Sequence, residues 1–220
     1  AETYKPACLH GVTFEAAHAQ QARQRLGERA TIWCADAVEW LKNSVDTYDT
    51  VLALDCAYHF SDRADFMRTA SQRLAPGGTL ALVDLVGAWP YPAWLTPAPS
   101  VPAPSGPPTV WERVQHYVIC KLSRANPHAF ISFDAYRALL HEAHLDVVDV
   151  RDISHDVFPG FAAFLQGLGV HDRAWRGGSV WQRWALRAFG SVVQKWAHGG
   201  DTGHVRCSLW VARKAQAQNT

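Results

Sequence analysis

The stretch VLALDCAYHF, Val51 to Phe60, begins as an apolar run and ends on Asp55, Tyr58 and His59. An acid, a phenol and an imidazole at the end of a buried segment can bond a polar ligand. The imidazole can also exchange a proton near neutral pH. Other apolar segments end in the same way: Thr13, Glu15 and His18 close or follow CLHGVTF, Asp36 and Ala37 follow ATIWC, and Asp84 follows TLALV. Each is ordinary by itself, because polar residues cap helices and close strands, and Asp36 reads equally well as a helix N-cap. Their recurrence at successive segments points to a binding site.

For these polar ends to share one edge, the segments must be strands. CLHGVTF (Cys8–Phe14) reads as a short strand, and EAAHAQQARQRLGER as a helix closing at Gly27. ATIWCAD is a second strand ending at Asp36, and AVEWLKN a short helix. YDTVLALD is a third strand, so continuously apolar that covering on both faces is expected. In DRADFMRTASQRL, residues Phe66, Met67, Ala70 and Leu74 fall at helical spacing. APGG then predicts a turn, and TLALVDL a fourth strand. Strand–helix alternation of this length predicts an α/β fold, a doubly wound Rossmann-like sheet with right-handed crossovers. Such sheets bind ligands beyond the carboxyl ends of their strands.

The rhythm breaks at Trp89–Thr109, where proline excludes a regular helix or strand, so a Pro-rich insertion is expected at about 87–110. VWERVQHYVICKLSR and SFDAYRALLHEAH read as helices, the second with Ser132 as N-cap, and LDVVDVRDI as a strand. FPGFAAFLQGLG predicts a loop and short helix, SVWQRWALRAFGSVVQKWA an amphipathic helix, and HVRCSLWVARK a closing strand. Residues 156–200 are expected to form a second, helical lid insertion. Within it Trp181, Trp184, Ala185, Ala188, Phe189, Val192, Val193 and Trp196 follow the helical period, opposite Arg183, Arg187 and Lys195. Lid, core and peripheral membrane contact through 181–196 are the three readings of that face, and packing on the protein's own sheet is the commonest fate of such a helix. Trp89, Trp94 and Trp111 suggest an aromatic substrate wall.

The 220 residues, 48% hydrophobic and 19% charged, suit one domain. A net charge of +1, from 21 basic and 20 acidic residues, argues against a nucleic-acid partner. No apolar run approaches the roughly 20 residues of a membrane span. The N-terminal AETYKPACLH lacks a signal-peptide layout. Five scattered cysteines without a CxxC pair predict free, mostly buried thiols and a cytoplasmic, reducing location. HEAH spaces His141 and His144 three apart rather than four, so solvated histidines are expected there and no metal.

GVTF, then CADA about twenty residues on, then YDTVLALDCAYHF, then LAPGGTLALVDL together resemble the class I S-adenosylmethionine-dependent methyltransferases. Within that family the motifs resemble those of small-molecule and lipid N-, O- or C-methyltransferases. The resemblance covers about residues 8–86 well. It covers 130–155 and 204–214 more loosely, as the last helix and a final antiparallel pair of strands. It implies S-adenosyl-L-methionine as cofactor. Thr13 then lies against the ribose hydroxyls, Asp36 accepts from the adenine amine, and Ala37 offers its backbone N–H. Leu54 and Asp55 pass beside the methionine part, and Phe14 and His18 stand with the cofactor-side candidates. His59 matches a base used by some members. From the residues themselves, Tyr58 either orients the small organic or lipid-like acceptor or simply packs, and Asp84 either pairs with His59 to fix its tautomer or is a solvated strand-end acid. The alternative is a non-catalytic relative that binds or interacts only. A dinucleotide oxidoreductase would need a GxGxxG fingerprint, which is absent.

One departure is large. The family opens with a central strand and a glycine-rich loop, and nothing before Cys8 can form them. A partial chain is therefore expected, with two inner strand edges unpaired. By themselves the 220 residues are expected to be poorly soluble and to bind no cofactor measurably.

Overall fold

A computed structural model describes residues 6–96, 102–123, 126–167, 180–199 and 204–216. In chain order the elements are β1 (His10–Thr13), α1 (Ala16–Leu26), β2 (Thr31–Cys34), α2 (Ala37–Asn43), β3 (Tyr48–Leu54), α3 (Arg63–Arg73) and β4 (Leu74–Gly87). There follow α4 (Val110–Ser123), α5 (Phe133–Glu142), β5 (Leu145–Asp152), α6 (Ser154–Gly167), α7 (Val180–His198) and β6 (Val205–Lys214). Local chemistry sets the boundaries. Gly27 ends α1 at φ 54, in the left-handed region open to glycine. Asp36, Asp62 and Ser132 cap α2, α3 and α5, each side chain accepting from first-turn N–H groups.

β1 and β2 pair in parallel as one ladder, and β3, β4, β6 and β5 form a second in that order. β3 and β4 are parallel, while β6 runs antiparallel to both its neighbours. Among the described residues no strand joins β1 to β3. Side chains bridge them at the other end of the strands. His10 Nδ1 lies 3.0 Å from the Tyr48 hydroxyl, and its ring meets Trp33, which in turn meets Trp40. α2, α3 and α5 cover one face of the larger sheet around Met67, Leu80, Leu82, Tyr136 and Trp210. α6 and α7 cover the other around Phe158, Ala162, Val193, Trp196 and Cys207.

Several expectations are corrected. β3 is not covered on both faces: Ala53 is 4% exposed, but Leu52 and Leu54 are 62% and 59% exposed. Successive side chains alternate, so those two leucines share a face left largely open among the described residues. APGG is not a turn ahead of the fourth strand but part of β4, absorbed by Gly77 at φ 77 and a register shift against β3. α6 is no short helix after a loop. It runs 14 residues through Pro159, because burial of Phe158, Ala162 and Leu165 outweighs the lost backbone bond. Of the five cysteines only Cys120 and Cys207 are buried.

The C-terminal half of α7 is core, with Val193 and Trp196 buried against α6, whereas Trp184 is 66% exposed. The side chains of Trp181 and Arg183 lie outside the described residues. In the proline-rich segment, Trp94 donates to Asp134 (2.7 Å) under the Arg137 guanidinium, so it belongs to the α5 side. Trp111 stands exposed on α4, so the expected aromatic wall is not assembled from these two.

Candidate active site at the strand ends

β3 ends at Leu54, and Asp55 turns the chain at φ 55, an uncommon conformation for a residue with a side chain. The Asp55 N–H still bonds the Val83 carbonyl at 2.7 Å, so the turn is anchored on β4. A short 3-10 turn, Ala57–His59, then lifts Tyr58 and His59 over the strand end. The Tyr58 hydroxyl donates to the Asp55 carboxylate, and its ring centroid is 4.3 Å from that of His59. Acid, phenol and imidazole are thus one group, with His59 and Asp55 open to solvent. The surrounding protein pushes the Asp55 carboxyl above its ordinary range, against the Tyr58 hydrogen bond and the charge of His59. Burial, and then the Asp55 charge, push the Tyr58 phenol well up, so Tyr58 keeps its proton and acts as a donor.

The ends of β1 and β2 lie side by side, tied by Ala35 N–H donating to the Thr13 carbonyl at 3.0 Å. Asp36 Oδ1 takes both cap bonds, from Val38 and Glu39 at 2.9 Å, which leaves Oδ2 for an outside donor. Ala37 opens α2, where a backbone N–H has no intrahelical acceptor. Thr13 contributes a half-buried hydroxyl, and Phe14, 72% exposed, a bare apolar ring. A carboxylate acceptor, an N–H donor, a hydroxyl and apolar surface fit the adenosine part of S-adenosylmethionine. His18 is exposed on α1, and Leu54 presents apolar surface next to Asp55.

Asp84 is placed differently from expectation. It is 0% exposed and does not pair with His59. Alternation along β4 sets it on the α3–α5 face with Leu80, Leu82 and Val86. There Oδ2 lies 3.0 Å from Arg63 Nε and accepts from the Tyr136 hydroxyl at 3.0 Å, while Oδ1 accepts from Leu85 N–H at 2.9 Å. The backbone N–H of Tyr58 also bonds the carboxylate. Burial pushes the acid up to about 6, against Arg63, Tyr136 and these N–H groups. Sequence reasoning missed Arg63 and Tyr136. Arg63 is the first residue of an amphipathic helix, and Tyr136 is 52 positions from Asp84, so no local spacing joins them.

A cleft of about 700 Å³ lies elsewhere, along β5, lined by Trp94, Arg137, Asp149, Asp152 and His155. None of the strand-end candidates lines it.

Residues 2–82 match a family described as methyltransferase domain. Erythromycin 3''-O-methyltransferase of Saccharopolyspora erythraea is 34% identical over 92 residues, 39% of this chain and 29% of the relative. The 27-O-demethylrifamycin SV methyltransferase of Amycolatopsis mediterranei is 29% identical over 170 residues, 74% of this chain and 55% of the relative. Over these segments the chain is similar to methyltransferases. The methyltransferase fold extends beyond the matched segment. The O-methyltransferase from a trans-AT PKS multienzyme of Brevibacillus brevis, solved with S-adenosyl-L-homocysteine, aligns at TM-score 0.60 and 18% identity. That alignment covers 98% of this chain and 61% of the other. The chain spans between about a third and a half of the length of these two curated relatives. A geranyl diphosphate methyltransferase solved with S-adenosylmethionine also aligns, at TM-score 0.59 and 16% identity, over 94% of this chain and 69% of the other.

Proposed function

We propose that this chain transfers a methyl group from S-adenosylmethionine to a hydroxyl of a small organic acceptor of the macrolide or related polyketide class. The observation that carries the reading is His59, exposed at the end of β3 and grouped with Asp55 and Tyr58. The two relatives described above are named for O-methylation or for an O-demethylated substrate, which supports oxygen over nitrogen or carbon.

The cofactor supplies an activated methyl on a sulfonium centre. The protein binds, aligns and excludes water. Thr13, Asp36 and Ala37 hold the adenosine, Phe14 and His18 flank it, and Leu54 and Asp55 pass beside the amino-acid end. A hydroxyl is a weak nucleophile and must lose its proton as the bond forms. His59 accepts that proton, Asp55 balances the imidazolium by its charge, and Tyr58 donates to orient the two. Five scattered cysteines without a CxxC pair support a cytoplasmic, reducing compartment.

The test is transfer from methyl-labelled cofactor to a panel of macrolides bearing free hydroxyls, beside amine acceptors. Label in an ether linkage is expected. Label on nitrogen or carbon alone would remove the O-methylation reading. The cofactor side has its own check. In a form restored with an N-terminal strand and glycine-rich loop, Asp36→Ala should weaken S-adenosylmethionine binding by about 1–3 kcal/mol, because the adenine amine loses its acceptor. An unchanged calorimetric affinity would take Asp36 out of the adenine site.

A further inference from the structure

Asp84, Arg63 and Tyr136 form a buried group that no part of the proposed chemistry uses. Asp84 is 0% and Arg63 8% exposed, and Tyr136 is fully buried. Charged groups are rarely held so deep unless paired and given a task. Each member has its own anchor. Tyr136 stacks on Trp210 at 4.7 Å, and the Arg63 guanidinium lies over the Tyr136 ring at 5.2 Å. The Asp84 backbone carbonyl accepts from Ser208 Oγ at 3.2 Å, and Ser208 in turn accepts from the Trp210 indole at 2.8 Å.

From this anchored base, two bonds reach outward. The Asp84 carboxylate accepts from the Tyr58 N–H, inside the 3-10 turn that carries His59. Arg63 Nη1 donates to the Ala129 carbonyl, and the next residue, Phe130, sets its ring 6.2 Å from that of Tyr58. Tyr58 is therefore gripped from below through its backbone and from the side through its ring, and His59 rides on it. An exposed imidazole on a short turn needs such support, because misplacing a reacting group by about 1 Å can cost about 100-fold in rate.

We infer that Asp84, Arg63 and Tyr136 are positioning residues for the proton acceptor, fixing the Tyr58–His59 turn from the interior. The inference rests on His59 acting as the base. The three touch neither cofactor nor acceptor, so they act on turnover through His59 alone.

Tyr136→Phe tests this gently, since phenylalanine keeps the stack on Trp210 and loses only the hydroxyl. The variant should lower kcat by about 10- to 100-fold while cofactor Kd and acceptor KM stay within about twofold. A double-mutant cycle supplies the readout that a merely structural role would not give. In a His59→Ala background, Tyr136→Phe should cause no further loss, because no base remains to be positioned. Arg63→Lys in the same cycle should behave alike. Losses that multiply in the double variants would overturn the positioning role and leave His59 as base. Full activity of His59→Ala alone would overturn both. A rise in KM with kcat unchanged would move these residues to acceptor binding and end the inference.

Discussion

His59→Ala should lower methyl transfer to a hydroxyl acceptor by roughly 10²–10⁴-fold, with cofactor affinity nearly unchanged. The size follows from the chemistry. The methyl donor is already activated, so proton removal from the hydroxyl is the step left for a side chain. His59 is solvent-open at the strand end and stands beside a phenol that keeps its proton and an acid that can balance a positive imidazolium. The cofactor-side residues Thr13 and Asp36 close β1 and follow β2, in a separate ladder from β3, so removing the imidazole leaves them untouched. Steady-state kinetics beside calorimetry separates the two effects. Turnover within a few-fold of the parent would reduce His59 to a shaping role.

Asp84→Ala should cost about 3–5 kcal/mol of folding stability, the largest loss expected of a single substitution here. The carboxylate is the counter-charge of a guanidinium that is itself almost wholly buried, and Tyr136 and two backbone N–H groups also donate to it. Its removal strands a positive charge and a hydroxyl in the core. The same acid gives a pH signature. Its folded pKa, about 6, lies above the ordinary 3.8. The folded state therefore holds the proton more tightly, and this stabilisation is full below about pH 4 and is lost as pH rises through about 6. The contribution amounts to up to about 3 kcal/mol. Denaturant melts of the parent and of Asp84→Asn between pH 4 and 7 should diverge in slope across that window. Parallel curves would contradict the assignment.

What the sequence disclosed and concealed follows from range. Asp36 could be placed at a strand end and a helix start at once because both signals are local, and α2 begins one residue later. Likewise Ser132 caps α5 where a capping residue meets an apolar period. The grouping of Asp55, Tyr58 and His59 was legible because all three follow closely on one another just past the end of β3. Asp84 was misread, since its side chain is claimed by Arg63 and Tyr136, which only tertiary packing brings near. Pro159 hid α6 for the same reason: local propensity argues against a helix that burial on α7 and β6 sustains. The run of apolar residues in β3 told of burial but not of how many faces are covered, and Leu52 and Leu54 remain bare.

The central claim is that S-adenosylmethionine binds across the carboxyl ends of β1, β2 and β3, with His59 beside the methyl group. Ultraviolet cross-linking of methyl-labelled S-adenosylmethionine to the protein carrying these residues, followed by peptide mapping, addresses it directly. Label is expected on peptides holding Thr13–Phe14, Asp36–Ala37 and Leu54–His59, and competition by S-adenosylhomocysteine should remove it. Label confined to the cleft along β5, at Val147–Asp156, would contradict the account.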